Sequence, residues 1–379
     1  MARINQRQVF YLHGFDPRGA RHYHRLYREQ AALQEKVNGL HIRVSGRRRG
    51  HDHSHHWQLD TDNTHTRYSY LGWDDIIRNH WARGWREIIG DLWLFVWAYI
   101  LPGHILAYAK ASPKQMMAGF YPLFYLLLSL LLSGWLATGL AEHLPWTYAQ
   151  VPAGLALFAL LMHSSKRLGD KLAVFWLLRI YAFSTRWAKG RIPELEPRIH
   201  AFARHMADAI NDETNDEVVI VAHSVGTMVV IPALARALEQ IQDPARLANR
   251  RVVLITLGHC IPLLSFQPKA TDFRAALQQL GHNEQLLWLD YTAPTDGACF
   301  PLLDPITSCG QQRAANAGPK LLSPRFFTLY HPVRYKKLRR AWYTMHFLYL
   351  MATDKPGPYD YFAFTAGPDA IATRLKERS

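Results

Sequence analysis

Ser224 is the side chain whose surroundings best equip it for covalent chemistry. It sits at the centre of Ala222-His223-Ser224-Val225-Gly226. The apolar run 218–221 leads into this pentapeptide, and a helical pattern reaching residue 240 leads out of it. A strand, a sharp turn with serine at its tip and a helix hold a hydroxyl above a sheet, where it can attack a carbonyl carbon. Such a turn is crowded, so the positions two before and two after the serine must be small. Ala222 and Gly226 fill them. The bare pattern is common by chance, and its strand and helix flanks carry the reading. A serine hydroxyl is a weak nucleophile unless a base takes its proton and an acid orients that base.

A second fragment supplies the rest of the chemistry. The run 9–12 reads as a short buried strand, and His13-Gly14-Phe15 follows at once. Together the two fragments resemble the α/β-hydrolase superfamily of serine esterases, lipases and amidases, over roughly residues 5–90 and 190–365. The resemblance implies that backbone N–H groups of Phe15 and Val225 face the oxyanion. It also implies that Gly14 and Gly226 shape the two turns, with His13 and His223 as structural supports. The chain departs from many members in having Ala222 where they have glycine, and alanine is small enough for the turn.

The chain order that the resemblance implies is nucleophile, acid, base. Asp296, in Pro294-Thr295-Asp296-Gly297, lies in the loop after a strand at 286–289 and is the leading acid. Asp290 at the strand edge and Asp304 before Pro305 are the alternatives, since turn aspartates commonly cap their own backbone. His331 and His346 are the histidines that follow Asp296. His346 leads as base, with Tyr349 three positions on; His331 adjoins the basic run 334–340, which reads as a membrane-facing surface. No cofactor is implied. Cys260, Cys299 and Cys309 show no metal spacing, and His51, His53, His55 and His56 read as a solvated loop rather than a zinc or nickel site.

The elements that must position these residues alternate. Helical spacing joins Tyr23, Leu26, Gln30 and Leu33, and later Leu195, Ile199, Phe202, Met206 and Ile210. Asp74-Asp75 opens a helix with Ile77, Trp81 and Trp85 on one face. Strands are expected at 41–45, 67–71, 252–257 and 286–289, and 326–330 is a strand or a pocket-lining segment. Short apolar strands alternating with helices give an α/β fold with a doubly wound, mostly parallel sheet.

The sheet is interrupted. Residues 119–141 carry no charge and are dominated by leucine, long enough to cross a hydrocarbon core of about 30 Å. A second uncharged run, 143–165, contains Pro145 and Pro152. The oxyanion strand precedes this region and the nucleophile strand follows it, so an insertion through a membrane must cross an even number of times. The simplest form is an inserted transmembrane helical hairpin, 118–141 and 146–163. An earlier run, 92–109, either lies along the interface or dips in and returns, and 172–187 reads as a surface helix. The expected organisation is 1–90 and 188–379 as the two parts of one hydrolase domain, with 91–187 as the membrane insertion.

Charge and cysteine usage agree with this. Forty-four Lys and Arg against 30 Asp and Glu leave a formal charge of +14. Arg78, Arg83, Arg86, Lys110 and Lys114 precede the hairpin and Lys166, Arg167 and Lys171 follow it, while its turn has no Lys or Arg; positive flanks stay cytoplasmic. The same charges attract anionic lipid. No zinc-finger, zipper or RNA-binding signature points to nucleic acid. Three sparse cysteines suit a reducing compartment. The expectation is a membrane-anchored serine hydrolase with a cytoplasmic catalytic domain acting on an acyl ester of lipid-like character. The alternatives are an inactive membrane scaffold on the same fold and an amidase or thioesterase on the same machinery.

Overall fold

Seven consecutive residues, Glu217–His223, are all buried, the pattern of a strand covered on both faces. The chain is described by a computed structural model covering residues 3–81, 84–245, 247 and 251–376. It is α/β, with nine strands and sixteen α-helices among the described residues. It divides into two units: residues up to 80 together with those from 186 onward, and residues 81–185. The division falls about ten residues earlier than the sequence pattern places it on one side and within two on the other.

The first unit holds the sheet. Its strands are β1 (Gln6–Leu12), β2 (Arg43–Val44), β3 (Arg48–Arg49), β4 (Ser54–Asp60), β5 (His65–Leu71), β6 (Glu217–His223), β7 (Val252–Leu257), β8 (Leu287–Tyr291) and β9 (Pro319–Leu322). They run in the order β2-β4-β5-β1-β6-β7-β8-β9, with β3 paired to β4. From β5 to β9 every pairing is parallel, and β4 is antiparallel to β5 and to both β2 and β3. From β1 the chain goes out to β5 on one side and later returns to β6 on the other. Open α/β sheets bind ligands at such a switch, outside the carboxyl ends of the strands. Here those ends are His13-Gly14 after β1 and Ser224 after β6, held level by the pairing of Leu12 with Ala222.

The first helices of this unit are α1 (Gly19–Asn38) and α2 (Asp74–Asn79), and the others come later in the chain. On one face of the sheet, Tyr23, Tyr27 and Ala31 of α1 join Val9, Tyr11, Val219, Val221 and Ile255 in one apolar cluster. The buried stripe of α1 is thus Ala20, Tyr23, Tyr27, Ala31 and Gln34, rotated from the expected one, and Leu33 is exposed. The expected loop around His51–His56 contains β4 instead. Ser54, Trp57 and Leu59 are buried while His55 and His56 are only part-buried. The expected continuous helix from Asp74 to Trp85 is two helices. The segment at 326–330 is a helical turn rather than a strand, following Arg325 at φ +49°.

The second unit contains α3 (Trp85–Phe95), a π-helical turn Val96–Ile100, α4 (Ile105–Ala111), α5 (Pro113–Ala141), α6 (Thr147–Lys171) and most of α7 (Val174–Ala188). Helices α5 and α6 pack side by side. Tyr125 donates to the Ser165 carbonyl at 2.6 Å, Ser165 to the Ser129 hydroxyl at 2.6 Å, and Gly154 lies against Ala141. Among the described residues α5 is the one continuous helix long and apolar enough to cross a membrane; the α3–α4 pair, bent by 74°, meets the same test only if taken as one broken span. Helix α7 differs from the expected surface helix. Residues 174–185 are buried except Trp176, Tyr181 packs against Phe95 and Tyr99, and Arg179 forms a buried ion pair with Asp91 at 2.7 Å.

The remaining helices, all in the first unit, are α8 (Leu195–Asn211), α9 (Gly226–Glu239), α10 (Pro262–Ser265), α11 (Thr271–His282), α12 (Phe326–Leu329), α13 (Pro332–Leu338), α14 (Trp342–Phe347), α15 (Tyr361–Ala366) and α16 (Ile371–Lys376). The end of the chain is tied to the middle of the sheet. Buried Glu217 accepts from Arg7 at 2.8 Å and from the Ile371 N–H at 2.9 Å.

Candidate active site

Strand β6 ends at His223, α9 begins at Gly226, and Ser224 between them has φ +56°. A left-handed backbone at a non-glycine residue costs about 1–2 kcal/mol and persists only where its surroundings enforce it. The enforcement is visible. The Ser224 N–H donates to the Leu257 carbonyl at 2.9 Å, and the Ser224 carbonyl accepts from the Thr227 hydroxyl at 2.5 Å. The same hydroxyl accepts from the Cys260 N–H at 3.1 Å. Glycine is required at two neighbours. A Cβ on Gly226 would sit 2.5 Å from the His13 carbonyl oxygen, and one on Gly14 would sit 2.7 Å from the Ser224 Cβ.

His346 lies near the end of α14, and its Nε2 is 2.7 Å from Ser224 Oγ. Its Nδ1 is 2.8 Å from Asp296 Oδ2. The carboxylate accepts at Nδ1, so the proton resides there and Nε2 is left to accept from the serine. Asp296 stands in the turn after β8. Its Oδ1 accepts from the Ala298 N–H at 3.0 Å, and its Oδ2 also accepts from the Tyr349 hydroxyl at 3.1 Å. Burial pushes this carboxyl up, but His346 and the donors around it outweigh burial and hold it below the ordinary range. Ser224, His346 and Asp296 are 2%, 1% and 0% exposed, so the relay is shielded from water, where charge interactions are strongest.

The two amides expected at an oxyanion belong to the two turns that meet here. Gly14, just before Phe15, lies against the Ser224 side chain. Val225 is the N-cap of α9, where an N–H has no carbonyl one turn earlier to bond. His13 braces the first turn. Its Nδ1 donates to the Gly14 carbonyl at 2.8 Å, its ring stacks on Tyr70 and Trp73, and burial drives its pKa down to about 4. His223 donates from Nε2 to the His346 carbonyl at 2.8 Å; burial, then the adjacent His346, hold its pKa at about 3, so it is neutral.

The alternative site residues are engaged elsewhere. Asp290 accepts from the Thr256 hydroxyl at 2.6 Å, and burial pushes its pKa up to about 8. Asp304 accepts from the Ile306 and Thr307 N–H groups and pairs with Arg313 at 3.0 Å. His331 caps α13, with its N–H bonded to Asp354. Among the described residues no three His, Cys, Asp or Glu side chains converge on a metal position, and adjacent residues of β4 such as His55 and His56 turn to opposite faces. All three cysteines are free thiols.

Three participants were not read from the sequence as such. Thr227 locks the strained turn, Cys260 places its Sγ 3.8 Å from Ser224 Oγ, and Tyr349 binds the acid. Thr227 is the second residue of α9, where a threonine hydroxyl can bond back to the carbonyl three positions earlier. Cys260 depends on long-range packing and carries no local signal, and Tyr349 is marked in the sequence only by its place three positions after His346. A shielded serine on a strained turn, with an oriented imidazole accepting its proton, is equipped for acyl transfer.

No family model, curated protein or solved structure matches this chain.

Proposed function

We propose that this chain is a membrane-anchored serine hydrolase of the α/β-hydrolase kind, acting on an acyl ester of lipid-like character. The observation that carries the reading is the unbroken hydrogen-bond relay from Ser224 through His346 to Asp296, at the carboxyl end of β6 where the sheet order reverses.

In this reaction Ser224 Oγ attacks the acyl carbon while His346 Nε2 takes its proton. Asp296 holds the imidazole tautomer and stabilises the imidazolium that forms. The N–H groups of Phe15 and Val225 receive the negative oxygen, each such donor being worth roughly 10²–10³ in kcat. Collapse of the intermediate breaks the ester C–O bond, and His346 returns the proton to the departing alcohol. Water, deprotonated by the same nitrogen, then attacks the acyl-enzyme and releases the carboxylic acid and Ser224.

The anchor rests on α5. It is long, uncharged after Lys114 and largely unburied, with Phe124, Leu128, Leu131 and Trp135 exposed. Because β1 and β6 are bonded neighbours, a crossing by α5 needs a return, for which the bent α3–α4 pair has the length and apolar character as one broken span and α6 lies packed against α5. Positive flanks and free thiols favour a cytoplasmic catalytic unit. A fluorophosphonate probe applied to the detergent-solubilised chain should label Ser224, and Ser224→Ala should abolish the labelling. Equal labelling of that variant overturns the assignment. An intact fold that never labels favours the scaffold reading.

A further inference from the structure

The segment leading to His346 has a charge pattern that the relay does not use. From His331 to Tyr349 there is no acidic residue, and five cations fall within 334–340. Arg334 is engaged with Asp354 and lies over the Tyr330 ring at 5.3 Å. Tyr335 and Leu338 pack onto the main apolar cluster, which fixes the roll of α13. Helical spacing then turns Val333, Lys336 and Lys337 outward together, and Arg340 follows in the turn after α13. All four are exposed, Val333 to 74%, and so is Arg339. Among the described residues, Lys336, Lys337, Arg339 and Arg340 have no acidic partner within ion-pair distance. Phe327 and Tyr343, on the flanking helices, are exposed large aromatics, and Arg325 lies over the Phe327 ring.

Four free cations interleaved with an exposed aliphatic and exposed aromatics suit one kind of surface. Phosphate headgroups attract the cations, and the interface accepts the apolar tips. A folded protein partner would have to bring a matching block of acids and would gain little from Val333 at the centre. We propose that the outward face of α13 docks the catalytic unit on an anionic phospholipid surface. This deepens the membrane-hydrolase reading, on which it relies only for a bilayer being at hand. Five residues separate Arg340 from His346, so the docked face and the base share one short stretch of chain. Docking steadies that stretch and brings acyl esters of the same surface to the serine. Four cations at about 1 kcal/mol each imply a preference for anionic over neutral lipid of two orders of magnitude or more at low salt, shrinking as salt rises.

The test uses the full chain in phospholipid nanodiscs, of phosphatidylcholine alone or with phosphatidylglycerol added. Amide hydrogen exchange over residues 332–345 should slow by about five-fold or more with phosphatidylglycerol, and high salt should reverse the effect. Replacing Lys336, Lys337, Arg339 and Arg340 by glutamine should remove the difference while leaving fluorophosphonate labelling of Ser224 in detergent intact. Equal exchange in both lipids, with labelling intact, overturns the docking surface and spares the hydrolase. Lipid-dependent protection without any labelling keeps the docking surface and overturns the hydrolase. Protection by a DNA duplex but not by phosphatidylglycerol overturns the proposal in favour of nucleic acid.

Discussion

Two aspartates follow one another across the end of β8, and their surroundings assign them opposite behaviour. Asp290 faces Thr256 and Thr292 in a site where burial pushes its pKa from 3.8 to about 8. Well below pH 4 both folded and unfolded chains hold this proton. As pH rises, the unfolded chain ionises first while the native state retains the proton, so stability falls until the native pKa is passed and is level above it. At 1.36 kcal/mol per pKa unit, the loss between about pH 4 and pH 8 amounts to several kcal/mol. Asparagine is neutral throughout and can accept the Thr256 proton on its carbonyl oxygen. Asp290→Asn should therefore raise the Tm at pH 8 and converge on the parent protein near pH 4, with kcat/KM changed only a few-fold. Asp296→Asn replaces the carboxylate that orients His346 and should lower kcat roughly 10³–10⁴-fold, since the imidazole is no longer held in the working tautomer. Hydrolysis of a soluble short-chain ester, followed beside thermal unfolding by tryptophan fluorescence, reads both. An inactive Asp290→Asn beside an active Asp296→Asn would falsify the assignment, and an unchanged pH–Tm curve would refute the buried proton.

Tyr349→Phe removes a donor to Asp296 and leaves the buried Ala293 N–H without its 2.9 Å acceptor. The expected cost is about 2–4 kcal/mol of stability, with kcat about ten-fold lower and KM unchanged. Asp296 is held below its ordinary range, so its stabilising effect is present above about pH 4 and lost as pH falls through the folded value. With one donor fewer, that loss should be smaller and complete at a higher pH, and an unshifted acid limb in thermal melts would count against the role. Gly14→Ala drives a methyl to 2.7 Å from the Ser224 Cβ and should cut fluorophosphonate labelling at least about 10²-fold with about 1–3 kcal/mol lost from overpacking. Normal labelling would mean the two turns are not in contact.

What could be read in advance was whatever lies close together along the chain. The strand at 218–221 and the pentapeptide after it are local, and the alternation of apolar strands with helices is enough to give a parallel α/β sheet. Strand β4 leaves little signal because its buried residues, Ser54, Trp57 and Leu59, are few and sit among histidines, and as an antiparallel strand near the sheet edge it needs only a weak alternation. The four-residue β9 opens with a proline and leaves almost no pattern. Helix α7 was misread because its buried face is wider than its two arginines suggest, Arg179 being neutralised by Asp91 from a distant helix. The tyrosine on the acid is a tertiary fact: Tyr349 and Asp296 lie 53 positions apart.

The central pairing of the sheet has a consequence for synthesis. Arg7 and Glu217, partners across β1 and β6, stand 210 residues apart. The ribosome therefore makes β1, then β4 and β5, then the whole greasy interlude, before the strand that carries the serine emerges. The early strands can zip together meanwhile, but the half-sheet has an open edge until β6 arrives, and closing so long a loop is entropically slow. The turn that carries Ser224 thus cannot meet the turn after β1 until the whole of residues 81–185 has been synthesised.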